Sequence, residues 1–505
     1  MKSSAGGIRR SPAEAHAAIE RFLKASGQPI LLEPGEDRFA LIPGSFAIDW
    51  DNARLTVQAW DETRNLVRRV TGLKEEKPGK LDLLVEKFPK REGRLYLIDL
   101  ARPAMAGAIR QETRLSFREQ FRRLLSRQLP DWKLAELTSG LDQQHSLSGS
   151  YPRALLKKGQ TGLAAIGAPP RGAAADGALS FGLIWLDYLR RREPRLLIEG
   201  LVILLPQGQE RTTCLRLRFL DPAAAEYQAF VYSPEGYAER ADLGDHGNID
   251  TKLEPFRDPA LALSSRVLEW TERFARLPHV ERVASSGAAV SLRVRGIEFA
   301  RAAGDELEFG LTQRTVANES SLREVEGLAR ELARLRSPEA ADQENALYGM
   351  HPEGWLESQL RAHLEEVDAA LVAAPVYGQV PALAGGERGV LDLVAAERTG
   401  RLAVLELKAS EDVHLPLQAL DYWIRVQWHV ERGEFRERGY FPEIQLSKEP
   451  PRLLLIAPSL CFHPTSDAIL RYFSPAIPVE RIGLGVEWRK KLKVVFRIPG
   501  SQKPV

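Results

Sequence analysis

The chain has 505 residues, of which 44% are hydrophobic and 27% charged, with a formal net charge of +2. That length leaves room for about three or four domains, and the near balance of charge excludes a global field that would gather nucleic acid, so any such surface is a local patch. The two cysteines, Cys214 and Cys461, exclude a disulfide framework and a thiolate zinc site and fit a reducing, cytoplasmic compartment. The apolar runs are too short to span a bilayer, so no membrane is expected. No hydrophobic core stands behind the basic residues of the N-terminus, so no secretory signal is expected either.

Ser11-Pro12-Ala13-Glu14 is a capping box with proline at the first helical position, and it predicts a helix to about Lys24. Strand-like runs follow at Pro29–Glu33, Phe39–Ile42, Phe46–Trp50 and Arg54–Trp60, a helix at Asp61–Val70, then strands at Leu81–Val85 and Leu95–Leu100. Residues 1–105 thus read as an α+β domain. Gln111–Leu129 reads as an amphipathic helix with Arg118, Arg122, Arg123 and Arg127 between Phe117, Phe121, Leu124 and Leu125. Its arginines suit either a solvated face or a track for phosphates. Ser146–Asp176 is rich in glycine, alanine and proline and reads as loop. Leu179–Arg192 reads as helix, and Arg195–Leu205 and Arg211–Leu220 as strands. Residues 106–250 are a second, α/β domain without an assignable motif. In 251–345 a helix at Pro259–Leu277 precedes a meander at Val280–Ala284, Val290–Ala300 and Glu306–Leu311. Ser321-Leu-Arg-Glu324 then caps a helix to about Leu335, and polar Ser337–Gly349 reads as a linker.

The last segment, 346–505, carries the chemistry. Pro352–Leu371 reads as a helix with Leu356, Leu360, Leu364, Val367 and Leu371 as its buried stripe. Val376–Leu383 is a first strand. Val390–Ala395 and Leu402–Leu407 form a hairpin about Glu397–Arg401. Asp392, Glu406 and Lys408 interrupt these apolar runs, although a buried charge without a partner is costly. Alternation puts Glu406 and Lys408 on one face and Leu405 and Leu407 on the other. His414–Trp428 reads as a helix with Gln418, Asp421, Tyr422 and Arg425 along one side. Arg452–Pro458, His463–Phe473, Val479–Gly485 and Lys491–Ile498 complete a strand, a helix and two strands. Two carboxylates at a sheet end suit a hard divalent cation, which lowers the pKa of a bound water and polarises a phosphoryl oxygen. A nearby ammonium balances charge developing on phosphate.

This segment resembles the PD-(D/E)XK nuclease superfamily: Asp392 stands for its lone aspartate, Glu406-Leu407-Lys408 for its E-x-K, and Gln418 to Tyr422 for the Q-x-x-x-Y of RecB-type members. Leu391 replaces the proline. The resemblance covers the last third of the chain. It implies a restriction-endonuclease-like α-β-β-β-α-β core preceded by mixed α/β accessory domains, and a catalytic set of Asp392, Glu406, Lys408 and Glu357. Asp392 and Glu406 would hold Mg²⁺, with Mn²⁺ as substitute, and DNA would be the substrate, in repair or defence against foreign DNA. Glu357, with Glu353 second, would be the further glutamate that the first helix supplies there. Gln418, Tyr422 and Gln379 would brace the site or touch the nucleic acid. No helicase P-loop is present, so unwinding requires a partner chain; a second copy of this chain is a further expected partner. The alternative is an inactive nuclease fold that binds nucleic acid or protein. One echo lies upstream: Asp82 and Gly93–Ala101 mimic the Asp392 and Gly400–Lys408 pattern with Ala101 in place of the lysine. They are either unrelated strands or a degenerate copy.

Overall fold

The computed structural model describes residues 10–33, 39–51, 54–60, 65–87, 91–102, 117–171, 174–285, 289–378, 380 and 393–500. The protein is a mixed α/β multidomain chain. It divides into two compact units: Met1–Leu141 with Gly149–Pro152 and Pro169–Ala173, and Asp142–Ser148 with Arg153–Ala168 and Ala174–Val505. Of the four segments expected from sequence, the last two lie wholly in the second unit, together with most of the one before them.

In the first unit, the helix Pro12–Ala25 opens on the expected capping box. The Glu14 amide donates to Ser11 Oγ and the Ser11 amide to Glu14 Oε2. Ala15, Ala18, Ile19 and Phe22 are its buried stripe. They pack with Leu55, Val57, Leu83 and Leu97 of a sheet that is antiparallel throughout. Over Asn65–Val70 the expected helix Asp61–Val70 is instead the start of the strand Asn65–Lys77, paired with Arg54–Trp60 and Lys80–Lys87; Leu66, Val70 and Leu73 are buried in the core, and Val67 and Arg69 are exposed. Asp82 and Asp99 belong to neighbouring antiparallel strands. The Asp82 carboxylate meets Arg94 at 3.1 Å, and Asp99 accepts from the Gln28 and Ala101 amides. Among the described residues this sheet has no parallel pair, so the upstream echo is a shared strand pattern and not a copied core.

The second unit contains two sheets built in one order. Arg153–Lys158 and Thr161–Gly167 form an antiparallel hairpin. The helix Gly177–Arg192 then leads to Leu197–Pro206, parallel to Thr161–Gly167. Arg211–Leu217 leads to Glu226–Tyr232, parallel again, and Ala238–Arg240 returns antiparallel. Near the C-terminus, Leu393–Ala396 and Leu402–Leu407 form the hairpin. Leu415–Glu431 leads to the parallel strand Arg452–Pro458, Ser466–Leu470 to the parallel strand Val479–Leu484, and Val494–Pro499 returns antiparallel. The C-terminal core adds the helix Pro352–Ala362 and the short strand Tyr377–Gly378 in front.

The first of these cores corrects two expectations. Within Ser146–Asp176, expected as loop, Arg153–Lys158 and Thr161–Gly167 form the hairpin. A Cβ on Gly162 would lie 2.7 Å from Ile198 Cδ1, so glycine there lets the next strand approach. Arg211–Leu220 is not a strand but a short helix with Cys214, Leu215 and Leu217 buried. The expected single helix Pro352–Leu371 breaks at His363 into Pro352–Ala362 and Leu364–Val367, while its leucine stripe stays buried. Between the cores lies a meander of Val280–Ser285, Ala289–Val294, Ile297–Ala303 and Glu306–Phe309, covered by Ser265–Ala275 and Leu322–Leu335. The expected strand Val290–Ala300 is two strands because Arg295 and Gly296 turn the chain with φ of 44° and 83°. At the helix Leu322–Leu335 the Ser321 side chain makes no cap hydrogen bond; its amide donates to Asn318 Oδ1.

The two cores meet through equivalent parts. Leu220 and Phe473 form an antiparallel bridge, with the Asp221 amide donating to the Tyr472 carbonyl at 2.8 Å and the Ser474 amide to the Phe219 carbonyl at 3.0 Å. Arg216, in the second helix of the first core, makes a bidentate pair with Asp421 in the crossover helix of the other, at 2.8 and 2.6 Å. Reciprocally, Arg471, just past the second helix of the C-terminal core, reaches Asp187 in the crossover helix of the first at 3.2 Å. The Arg216 side chain is 5% exposed and that of Arg471 42%. Removing one partner of a buried pair strands a charge, whereas an exposed pair contributes little. Asp421→Ala is therefore expected to lower the unfolding free energy by about 3–5 kcal/mol, and Arg471→Ala by less than about 1 kcal/mol, both read by urea denaturation.

At the opposite end of the C-terminal sheet, Arg452 holds Asp368, Glu397 and Glu480 at 2.8, 2.7 and 2.8 Å, and Arg497 joins Asp368 and Glu480. Burial pushes the Asp368 carboxyl up, but the Ala370 amide and the two guanidiniums outweigh it and leave the pKa lowered. Glu480 is lowered in the same way, burial being overcome by Arg497 and Arg452. A carboxylate depressed in the folded state stabilises fully above its unfolded pKa, and that contribution is lost as pH falls through the folded value. Urea midpoints measured from pH 7 down to pH 3 are expected to fall on the acid side, and Arg452→Met is expected to flatten that fall.

Candidate active site

The strand Leu402–Leu407 is fully buried and paired on both sides, antiparallel to Leu393–Ala396 and parallel to Arg452–Pro458. The turn that registers the hairpin needs glycine: Gly400 has φ of 86°, and a Cβ there would lie 1.9 Å from the Gln445 carbonyl oxygen. Leu405 and Leu407 pack in one cluster with Leu356 and Leu360 of the helix Pro352–Ala362. Strand alternation therefore turns Glu406 and Lys408 to the other face, the face of the helix Leu415–Glu431. Glu406 is 3% exposed and Lys408 8%. The Lys408 amide extends the parallel ladder to the Ile456 carbonyl at 3.1 Å, so the lysine is fixed at the carboxyl end of the strand.

The loop after Lys408 holds its ammonium. Asp412 Oδ2 lies 3.5 Å from Lys408 Nζ, while Asp412 Oδ1 accepts from the His414 amide at 2.8 Å, an Asx turn that starts the following helix. His414 Nδ1 meets Ser180 Oγ of the first core at 2.8 Å. Burial pushes the His414 pKa down, against the raising effect of Asp412, and burial does the same to His463, opposed by Glu411 and Asp412. Sequence reasoning passed over Asp412 and His414. The available signal was an acidic Glu411-Asp412 step placed between the E-x-K element and the helix.

The other expected site residues fall in different places. Tyr422 is 3% exposed; its hydroxyl donates to the Val380 carbonyl and accepts from the Val380 amide at 3.0 Å. It thereby ties the crossover helix to the chain just beyond the strand Tyr377–Gly378. Gln418, one turn earlier, is exposed. Asp421, on the same side, is taken by Arg216. Glu357 is buried, but Arg361 holds it at 2.8 Å and Arg293 lies 3.6 Å away. Beside them, burial pushes the Glu281 carboxyl up, the Ser358 hydroxyl bonded to it acts in the lowering direction, and Glu357 adds to the rise. Glu357 closes a cluster of guanidiniums and carboxylates between the meander and the first helix. Glu353, the second choice, lies one turn earlier on that helix, in its first turn. Asp392 and Gln379 lie outside the described residues. Among the described residues no three His, Cys, Asp or Glu side chains are grouped to hold a metal ion, and no helix is long and apolar enough to cross a membrane.

Comparison of the chain with protein-family models, with curated proteins and with solved structures finds no match.

Tyr422 satisfies two backbone groups of Val380, and deleting its hydroxyl strands them. Tyr422→Phe is expected to lower the unfolding free energy by about 1–3 kcal/mol, measured by urea denaturation.

Proposed function

We propose that the C-terminal core hydrolyses phosphodiester bonds in DNA with a divalent cation. The observation that carries this reading is the placement of Glu406 and Lys408, both nearly inaccessible, at the carboxyl end of the central strand. Ligands of open α/β sheets gather at such strand ends. The order of elements gives further support. A helix, three antiparallel strands, a crossover helix and a parallel strand follow one another as in the restriction-endonuclease-like core that the sequence resemblance implies.

The donor chemistry fits Mg²⁺ or Mn²⁺ in part. Glu406 offers hard carboxylate oxygens, and Asp392 would join it. Glu357 does not fit as a third donor, since its carboxylate is paired with Arg361 and Arg293. When bound, the cation would lower the pKa of a water and polarise the phosphate. Lys408 would place its ammonium against charge developing on the phosphate. Asp412 positions that ammonium and joins the loop to the helix behind it. Tyr422 anchors the crossover helix to Val380, just beyond the first strand, which keeps the wall of the site fixed. Substrate choice would fall to the upstream segments, and duplex unwinding to a partner chain.

Purified protein incubated with linear, circular and single-stranded DNA and with RNA, plus Mg²⁺ or Mn²⁺, tests the reading. DNA cleavage is expected, abolished by a chelator and reduced about 10²–10³-fold by Lys408→Ala; Asp392→Ala is expected to abolish it. Binding without cleavage under every metal would replace the reading with that of a non-catalytic nucleic-acid-binding module.

A further inference from the structure

The strand Thr161–Gly167 of the first core corresponds by order and pairing to Leu402–Leu407 of the C-terminal core: each closes an antiparallel hairpin and lies parallel to the strand after the crossover helix. Glu406 and Lys408 turn toward the crossover helix of their core. In the first core the residues of that strand on the equivalent face are Ala164 and Ile166. A Cβ on Gly182 of the crossover helix would lie 3.0 Å from Ile166 and from Leu201, and Leu201 pairs with Ala164. Across the hairpin, Ala164 faces Leu155 and Ile166 faces Arg153, whose guanidinium lies over the Trp185 ring of the same helix. All four are buried. None is a carboxylate, so this face of the hairpin offers no oxygen donor to a metal ion.

The contacts between the cores are isologous in kind. Each core gives an arginine from its second-helix region to an aspartate of the other's crossover helix, Arg216 to Asp421 and Arg471 to Asp187. The bridge at Leu220 and Phe473 likewise pairs equivalent positions. Reciprocal contacts of this type are the mark of a two-fold relation, seen between subunits in a symmetric dimer and here within one chain. Duplex DNA relates its two antiparallel strands by local two-fold axes, and symmetric proteins exploit the match. A molecule with two competent centres about such an axis would address both strands in one engagement. This chain has the axis and a single core that carries the acid and the amine.

Resting on the nuclease reading above, we propose that the protein is an internal pseudo-dimer with one silent core, and that it cuts one strand of duplex DNA per engagement. In each cut one water oxygen bonds to phosphorus as one P–O ester bond breaks. One proton of that water goes to the leaving oxygen and the other to the phosphate or solvent. No oxidant, reductant or second substrate is required.

The test is a time course on supercoiled circular DNA with Mg²⁺ and the full-length protein, with plasmid in excess over protein. Nicked circles are expected as the first product, with linear DNA appearing only as nicked circles are consumed, and Lys408→Ala is expected to remove both. Linear DNA formed from the outset without a nicked precursor would overturn the silent-core inference while leaving the nuclease reading intact. Absence of any cleavage, of this or of the linear, single-stranded and RNA substrates, would remove the nuclease reading and this inference with it.

Discussion

The bidentate pair between Arg216 and Asp421 is the constraint on which the second unit depends. A guanidinium and a carboxylate taken out of water lose hydration that only near-ideal geometry can offset. Here the two hydrogen bonds run fork to fork, and the Asp176 carbonyl takes a further guanidinium proton at 2.8 Å. Asp421 sits on the helix that also carries Tyr422, so the same helix is fixed on one side to the first core and on another to Val380. A hydrophobic contact could hold two helices together, but it would tolerate sliding. Matched charges with directional bonds fix the register, and that register determines where the start of the helix meets the loop after Lys408.

From that helix the constraint passes to the site through short links. Its first turn is set by the Asx turn of Asp412, whose other oxygen faces Lys408. His414, next to that turn, bonds Ser180 of the first core. The first core therefore touches the surroundings of Lys408, while the side of its own hairpin that faces its crossover helix carries no carboxylate. Its role there is mechanical. It backs the loop that holds the ammonium, and it removes water from His414, which burial keeps toward its neutral form.

Much of the C-terminal core was legible because its strands are buried on both faces and flanked by polar turns. Leu402–Leu407 and Arg452–Pro458 read directly as continuous apolar runs, and the charged residues inside or beside them stood out for that reason. The first core was not legible, although it has the same order of elements. Its hairpin carries Ala154, Gly162, Ala164, Ala165 and Gly167 among its leucines and charged residues, within a stretch whose glycine, alanine and proline signal loop, and at Gly162 close approach of the next strand demands the small residue. Gly182 in its crossover helix shows the same demand, since a Cβ there would come within 3.0 Å of Ile166 and Leu201. The echo at Asp82 and Asp99 has the strand pattern, but the strand carrying Asp99 is antiparallel to both of its neighbours, whereas Leu402–Leu407 has a parallel neighbour in Arg452–Pro458. Sequence pattern reports strand faces; it does not report which strand lies alongside, and only the pairing separates a meander from a crossover core. Glu357 illustrates a related limit. Periodicity placed it correctly at the edge of a buried stripe, but its partner Arg293 comes from a strand far away in sequence.

The contrast between the cores has a physical logic. Glu406 and Lys408 are costly to bury, and a core that keeps them gives up stability for the chemistry proposed here. A second core with the same order, relieved of that task, can fill the helix-facing positions of the same strand with Ala164 and Ile166 and let its strands and helix close up. The residues that made the first core hard to read are thus the ones that suit it to brace the other. A sheet packed with small side chains lies against a crossover helix whose Ser180 and Asp187 reach toward the C-terminal core. On the proposed reading, stability and chemistry, which compete within one core, are divided between two.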